Sequence, residues 1–348
     1  MKNSLLISVL LISACAIRSQ HSNYTRSFQF KYEVALEPTY GEKLELWIPI
    51  PQSNEVQTIS NLTFNTNGLS YSIKNENSHG NKYLYVIDEN GTTKPINISM
   101  IFDVSRKEHG RVSYNNVNPD LYLGSYSTVP VGNIFSSIIH DNHLSKYEVK
   151  GIYEHVLSNM HYSKPKSVED HYYNEPWLKS GEIYGMKGVS RDDVVKFYQE
   201  AEREKSDYTF GKGNSLYACD IGVGNCTDYH SYFMSLGRTL GIPVRFLMGF
   251  SIPSEVEGIV AGYHCWADYY EKGKGWFPID ISEADKDSTK TDYYFGTVDY
   301  NRVNMMVGRD FVLEKYDNGP INYFIYPLLE INNKKSTAFN KTFSYKNL

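Results

Sequence analysis

Between Phe28 and Val104 apolar side chains recur at every second position, and that period commits the first third of the chain to β-structure. Phe28, Phe30, Tyr32 and Val34 share one face, and Leu44, Leu46 and Ile48 repeat the pattern. Shorter runs follow at 70–73, 83–87 and 96–104, with Asn67-Gly68 and Asn90-Gly91 as turns between them. Short strands punctuated in this way predict a β-sandwich over 28–106.

The period then changes. Residues 107–147 read as a connector, with a loop at Pro130–Ile134. From Tyr147 to Met160 the spacing is helical, with Val149, Ile152, Tyr153, Val156 and Leu157 on one stripe. Residues 163–209 are polar, charged and aromatic, and read as a large surface insertion with a short helix near Val194–Tyr198. The 348 residues leave room for two domains. A net charge of −5 and the lack of a dense Lys/Arg block speak against a nucleic-acid partner. The 30 tyrosines read as a compositional habit, and sequons such as Asn61-Leu62-Thr63 and Asn97-Ile98-Ser99 as chance matches in an Asn-rich chain.

The first residues stand apart. Lys2 is followed by an apolar run from Leu5 to Ile12, too short to cross a bilayer, which takes roughly 20 residues. Ile12-Ser13-Ala14-Cys15 resembles the lipobox of bacterial lipoproteins. That resemblance implies removal of 1–14, lipid on Cys15, a tether over 15–27 and an exported protein anchored at the cell membrane or outer membrane. A plain secretory peptide is the alternative. With Cys15 lipidated, Cys219, Cys226 and Cys265 remain, an odd number that points to a free thiol. Cys219 and Cys265 read equally well as a disulfide or as two buried thiols.

The chemistry begins at Gly222-Val223-Gly224-Asn225, a glycine-rich turn that leads into Cys226. Phe233, Leu236, Thr239 and Leu240 continue a helical stripe until Gly241-Ile242-Pro243 stops it. Cys226 therefore opens a helix, where the dipole and free N–H groups favour a thiolate. Its own N–H, with a nearby side chain or amide, can hold an oxyanion. Residues 262–270 read as a strand whose alternation puts His264, Trp266 and Asp268 on one face. A hairpin turn at Gly273-Lys274-Gly275 returns the chain through Trp276–Asp280, so that Asp280 can orient His264. His230, four residues past Cys226, fits a supporting place in the core better than a second base. A zinc site from Cys226, His230 and His264 lacks ligand pairs at finger-like spacing, so no metal or cofactor is expected.

These segments together carry a family likeness. Gly224–His230, Gly241–Arg245, His264–Ala267 and Gly275–Asp280 resemble the bacterial transglutaminase-like superfamily, whose core is papain-like. The resemblance implies an α+β catalytic domain over 148–330 after the all-β sandwich, with 331–348 as a tail. It implies Cys226 as nucleophile, His264 as general base and acid, and Asp280 as the orienting carboxylate. Further runs, among them Asp299–Val303, Gly308–Asp310 and Asn322–Pro327, resemble one bacterial subgroup with such a sandwich; the insertion at 163–209 departs from it. The implied activity is attack on an amide of a peptide or protein through a thioester, as a cell-envelope peptidase or amidase. A protein transamidase or a lipid-anchored scaffold with the same fold are the alternatives. Oligomeric state is not legible.

Overall fold

The period-two segments do form strands in the computed structural model, which describes residues 24–163 and 190–348. The expected lipidation site Cys15 and most of the expected insertion lie outside the described residues. The first strands are β1 (Thr25–Leu36), β2 (Leu44–Ile50), β3 (Gln57–Asn65), β4 (Ser70–Asn75), β5 (Lys82–Asp88) and β6 (Ile96–Lys107). β1 alternates as read, burying Phe28, Phe30, Tyr32 and Val34. β3 was not foreseen, because it is an edge strand with mostly exposed, polar residues and no apolar stripe.

The expected connector carries a short 3-10 helix (Pro119–Tyr122) and one α-helix, α1 (Ile134–Asp141), and α2 (Val149–Asn159) follows as predicted. After β7 (His161–Tyr162) come α3 (Arg191–Arg203), α4 (Ser215–Ile221), β8 (Val223–Gly224) and α5 (Cys226–Thr239). α3 is longer than the short helix read from the sequence, and its Tyr198 is buried against Tyr217 of α4. A four-stranded sheet follows, built from β9 (Val244–Ser251), β11 (Tyr263–Glu271) and β12 (Gly275–Ile279), with β10 (Glu257–Ile259) leaving it. α6 (Ile281–Lys286) and β13 (Arg302–Val307) complete this part, in the sheet order β12-β11-β9-β13. α5 is buried from Cys226 to Arg238 on every side, with α2, α4, α6 and β11 packed around it. A helix covered all round has little freedom to shift, so its first residue is firmly placed.

The last segment corrects the sequence reading. Residues 331–348 are not a tail: β14 (Leu328–Ile331), β15 (Lys334–Ser336) and β16 (Phe339–Asn347) return to the first strands. β16 pairs antiparallel with β1, from Phe28↔Asn347 to Leu36↔Phe339, and β14 pairs with β2. The result is two five-stranded sheets, β10-β16-β1-β6-β3 and β15-β14-β2-β5-β4. The reason lies in alternation: Phe343 and Tyr345 of β16 turn inward and join the core with Phe30, Tyr32 and Phe250. The helical core is thus carried between strands of the sandwich, and Phe250 of β9 packs at a tilt against Phe30 of β1.

Candidate active site

α4 ends on Gly222, whose φ of 72° lies in the left-handed region that favours glycine. β8 then pairs in parallel with β7 and delivers the chain to Asn225. A Cβ on Gly224 would sit 2.6 Å from the Cβ of Asp228, so only glycine lets the strand pass this close to the helix. Asn225 caps α5: its Oδ1 accepts the Thr227 N–H at 2.9 Å, while Asp228 Oδ2 accepts the Asn225 N–H at 3.0 Å. Cys226 is therefore the first residue of a fixed helical turn, 3% exposed. The same Asp228 also accepts the N–H groups of Gly211 and Gly213, each at 2.9 Å, and so fastens that loop to the helix start. Burial pushes Asp228 up to about 7, against these three N–H bonds.

His264 is the second residue of β11, and Asp280 stands one residue beyond β12, as N-cap of α6. The last ladder pair is Ala267↔Ile279, so continuing the register sets Asp280 opposite Trp266. His264 lies two residues back on the same face, a diagonal neighbour within side-chain reach. The contact is made: His264 Nε2 and Asp280 Oδ2 are 2.7 Å apart. Asp280 Oδ1 meanwhile accepts from Ser282 Oγ at 2.8 Å and from the Glu283 N–H at 3.1 Å, which fixes the carboxylate plane. The hairpin expectation holds, except that the carboxylate caps a helix where a second strand position was read.

With Nε2 on Asp280, the other ring nitrogen of His264 is left for Cys226, and the two side chains hydrogen-bond. His230 is held otherwise. Its Nδ1 lies 2.7 Å from the Cys226 carbonyl, which can only accept, so Nδ1 carries the proton. Its Nε2 then accepts the Ile281 N–H at 3.2 Å. Burial lowers its basicity. His230 ties the Cys226 helix to α6, with both ring nitrogens held by backbone.

One residue of the site was not found by sequence reasoning. Arg302 Nη1 donates to Asp280 Oδ2 at 2.6 Å, the same oxygen that meets His264, and its Nη2 donates to Asp299 at 3.1 Å. It is fully buried at the start of β13. Gly249 on β9 permits this: a Cβ there would lie 1.8 Å from the Val303 carbonyl oxygen, so β13 runs tight against β9. The only signal was Arg302's place in the Asp299–Val303 run, which names no role. Asp220 and Asn225, the polar side chains that precede Cys226, are engaged elsewhere. Asp220 accepts from the Tyr208 hydroxyl at 2.7 Å, and Asn225 Nδ2 donates to the Tyr263 hydroxyl at 3.2 Å.

The charges form a chain. Burial lifts Cys226, but hydrogen bonds from Cys265 and His264 and the charge on His264 outweigh it and hold the thiol well below its ordinary value. Burial would lower His264, yet Asp280 and the Cys226 thiolate raise it to about 10. Asp280 is buried too, and His264 with Arg302 holds it well below the usual carboxylate range. At neutral pH the arrangement is thiolate, imidazolium, carboxylate and guanidinium in sequence, each beside its opposite.

With this geometry in view, likenesses to known proteins fall into place. Residues 190–281 match the model of the transglutaminase-like superfamily. The match begins at 190, so the end of the stretch read as an insertion falls within it. An uncharacterized protein of Haemophilus influenzae is 22% identical over 404 residues, covering 98% of this chain and 97% of that one. The structure of a candidate cysteine protease from Cytophaga hutchinsonii superposes with a TM-score of 0.53 at 12% identity, over 93% of this chain and 92% of that one. The periplasmic domain of TgpA from Pseudomonas aeruginosa gives 0.33 at 12% identity over 76% and 73%, too loose to bear on the fold.

Proposed function

We propose that this chain, a transglutaminase-like protein, is a thiol enzyme that cleaves or exchanges amide bonds with Cys226 as nucleophile, His264 as acid and base, and Asp280 as orienting group. One observation carries the reading. The imidazole of His264 is pinned by Nε2 to a buried, arginine-paired carboxylate, so its other nitrogen serves Cys226 at the start of a helix. A buried carboxylate charge beside a histidine and a thiol has a cost, and it is met here by groups that stabilise an ion pair.

The thiolate attacks the amide carbonyl, and negative charge moves to the carbonyl oxygen near the Cys226 N–H at the start of α5. The imidazolium then protonates the leaving amine, and a thioester forms on Cys226. Water activated by the now neutral His264 gives hydrolysis, and an amine in its place gives transamidation. The Arg302–Asp280 pair keeps the imidazole oriented through both half-reactions. We favour hydrolysis of cell-envelope peptides, with Cys15 as a lipid anchor; the lipobox-like Ile12–Cys15 supports the address. No helix among the described residues is long and apolar enough to cross a membrane.

A panel of peptide amides, incubated with wild type and with Cys226→Ala, tests this. Wild type should release amine and form a trappable acyl-enzyme whose mass maps to Cys226; the variant should do neither. Acyl transfer to an added primary amine in place of water would convert the reading to a transamidase. No turnover and an inert Cys226 in folded protein would leave a scaffold.

A further inference from the structure

Cys265 follows His264 on β11, and strand alternation turns it to the opposite face, against α5. Its Sγ lies 3.8 Å from Thr227 Oγ1 and 3.9 Å from His230 Nδ1. These residues stand one and four places after Cys226, so Cys265 packs against the first turn of the helix that Cys226 opens. The two thiols act on each other's ionisation: Cys265 lowers Cys226, and Cys226 raises Cys265. Cys219, the other thiol in the described residues, lies on α4 beside Asp220, with its Sγ 3.6 Å from Asp220 Oδ1. All three are buried, and none of them forms a disulfide. Amide chemistry needs one thiol, and nothing in it uses the second.

We propose that Cys265 is the resolving thiol of a hydroperoxide-sensitive pair with Cys226, which makes the two a site of reversible oxidative modification. The inference rests on Cys226 being the reactive thiolate of the proposed function. In the first step the Cys226 thiolate attacks the outer oxygen of a hydroperoxide. An S–O bond forms, the O–O bond breaks, and the leaving alkoxide takes a proton from the His264 imidazolium. Cys226 becomes a sulfenic acid and the peroxide is reduced to an alcohol, or to water for hydrogen peroxide.

In the second step the Cys265 thiol gives its proton directly to the departing oxygen. The Cys265 sulfur attacks the Cys226 sulfur, an S–S bond forms, the S–O bond breaks, and the departing hydroxide takes that proton as water. Two electrons leave the sulfur pair and two reach the peroxide. Burial and the neighbouring thiolate push Cys265 well above its ordinary value, so it stays a thiol until Cys226 has lost its charge. That order protects Cys226 from the irreversible sulfinic and sulfonic states.

Hydrogen peroxide in modest excess, followed by alkylation and peptide mass mapping, tests the pairing. Wild type should lose two hydrogens and yield a peptide linked between Cys226 and Cys265. Dithiothreitol should then restore alkylation of Cys226 to near its starting extent. In Cys265→Ala, Cys226 should pass to sulfinic and sulfonic acid, and the alkylation recovered with dithiothreitol should fall about tenfold. Cys265→Ser, closer in shape to the native residue, should behave like the alanine variant and so excludes misfolding. Two results overturn the resolving role alone: dimedone traps a Cys226 sulfenic acid but wild type over-oxidises as fast as Cys265→Ala, or the link joins Cys219. If dimedone and iodoacetamide both leave native Cys226 untouched, the nucleophile reading fails with it.

Discussion

The sheet that carries His264 holds the same three residue types in two places, and they end in opposite charge states. At one end of β11, Asp280 meets His264 at 2.7 Å and Arg302 at 2.6 Å. Further along the strand, Asp268 meets Arg245 at 2.7 Å, while His109 stands 3.9 Å off. The first histidine is raised to about 10. The second is lowered to about 3, chiefly by burial, with Arg106, Arg245 and Arg302 adding to the fall against the pull of Asp268. Trp266 lies between, stacked on His264 and flanked by the guanidinium groups of Arg106 and Arg302. An arginine, an aspartate and a buried histidine do not by themselves make a charged imidazole. Direct contact does, because desolvation acts on both rings and only a touching carboxylate and thiolate offset it.

Exchanging the two histidines for neutral residues is the sharpest way to break the comparison. His264→Ala should slow iodoacetamide labelling of Cys226 near pH 7 by roughly thirtyfold, the ratio between a full thiolate and the few per cent carried by an ordinary thiol. His109→Gln should change that rate by less than about twofold, while costing about 1–2 kcal/mol of stability for its buried hydrogen bonds. Comparable slowing by both variants would mean that the thiolate is set by the whole cluster and not by one ring.

The arginines separate more narrowly. Arg302→Gln and Arg245→Gln each break a buried pair, and urea unfolding should show a loss on the order of 3–5 kcal/mol in both. Only Arg302→Gln should also slow labelling in the folded fraction, by about three- to tenfold, since Asp280 then holds the imidazolium less firmly. Equal labelling in the two variants would remove Arg302 from the site's electrostatics.

The smallest effect is read without any mutation. In histidine-selective NMR, His264 should stay an imidazolium through about pH 8 and titrate near about 10, while His109 should stay neutral at about pH 5. The signs for stability are opposite. His264, raised in the fold, contributes fully below its free value of 6.5, and the contribution is lost as pH rises through about 10. His109, lowered in the fold, costs nothing above 6.5 and weakens the fold as pH falls from there toward about 3. Coincident titrations of the two rings would contradict the contact argument.

The sequence showed the parts of the site that obey local rules. A glycine turn before Cys226, a helical stripe after it, and a hairpin between His264 and Asp280 are all short-range signals, and the structure brings the three residues together. The inward stripe of β1 was equally plain. Arg302 was not legible as part of the site, because its role depends on β13 pressing against β9 across Gly249. His109 lay in a segment read as a connector, and nothing in its neighbourhood marks it as buried among arginines from three other strands. The fate of 331–348 was missed for a related reason. Phe339–Asn347 has an alternating pattern, but it is short, carries three exposed polar residues in a row, and its partner is at the other end of the chain.

That pairing of β16 with β1 sets an order of events during synthesis. A ribosome releases β1 long before β16, and one edge of β1 stays unpaired until β16 has emerged. Closing that ladder brings together residues with almost the whole chain between them, a costly loop that makes completion slow. The helix bearing Cys226 and the sheet bearing His264 are made in the interval and can assemble from nearer contacts. The sandwich therefore closes around a core that already exists. A newborn chain would carry Cys226 before its outer strands are sealed, with the exposed edge of β1 as its point of greatest danger for aggregation.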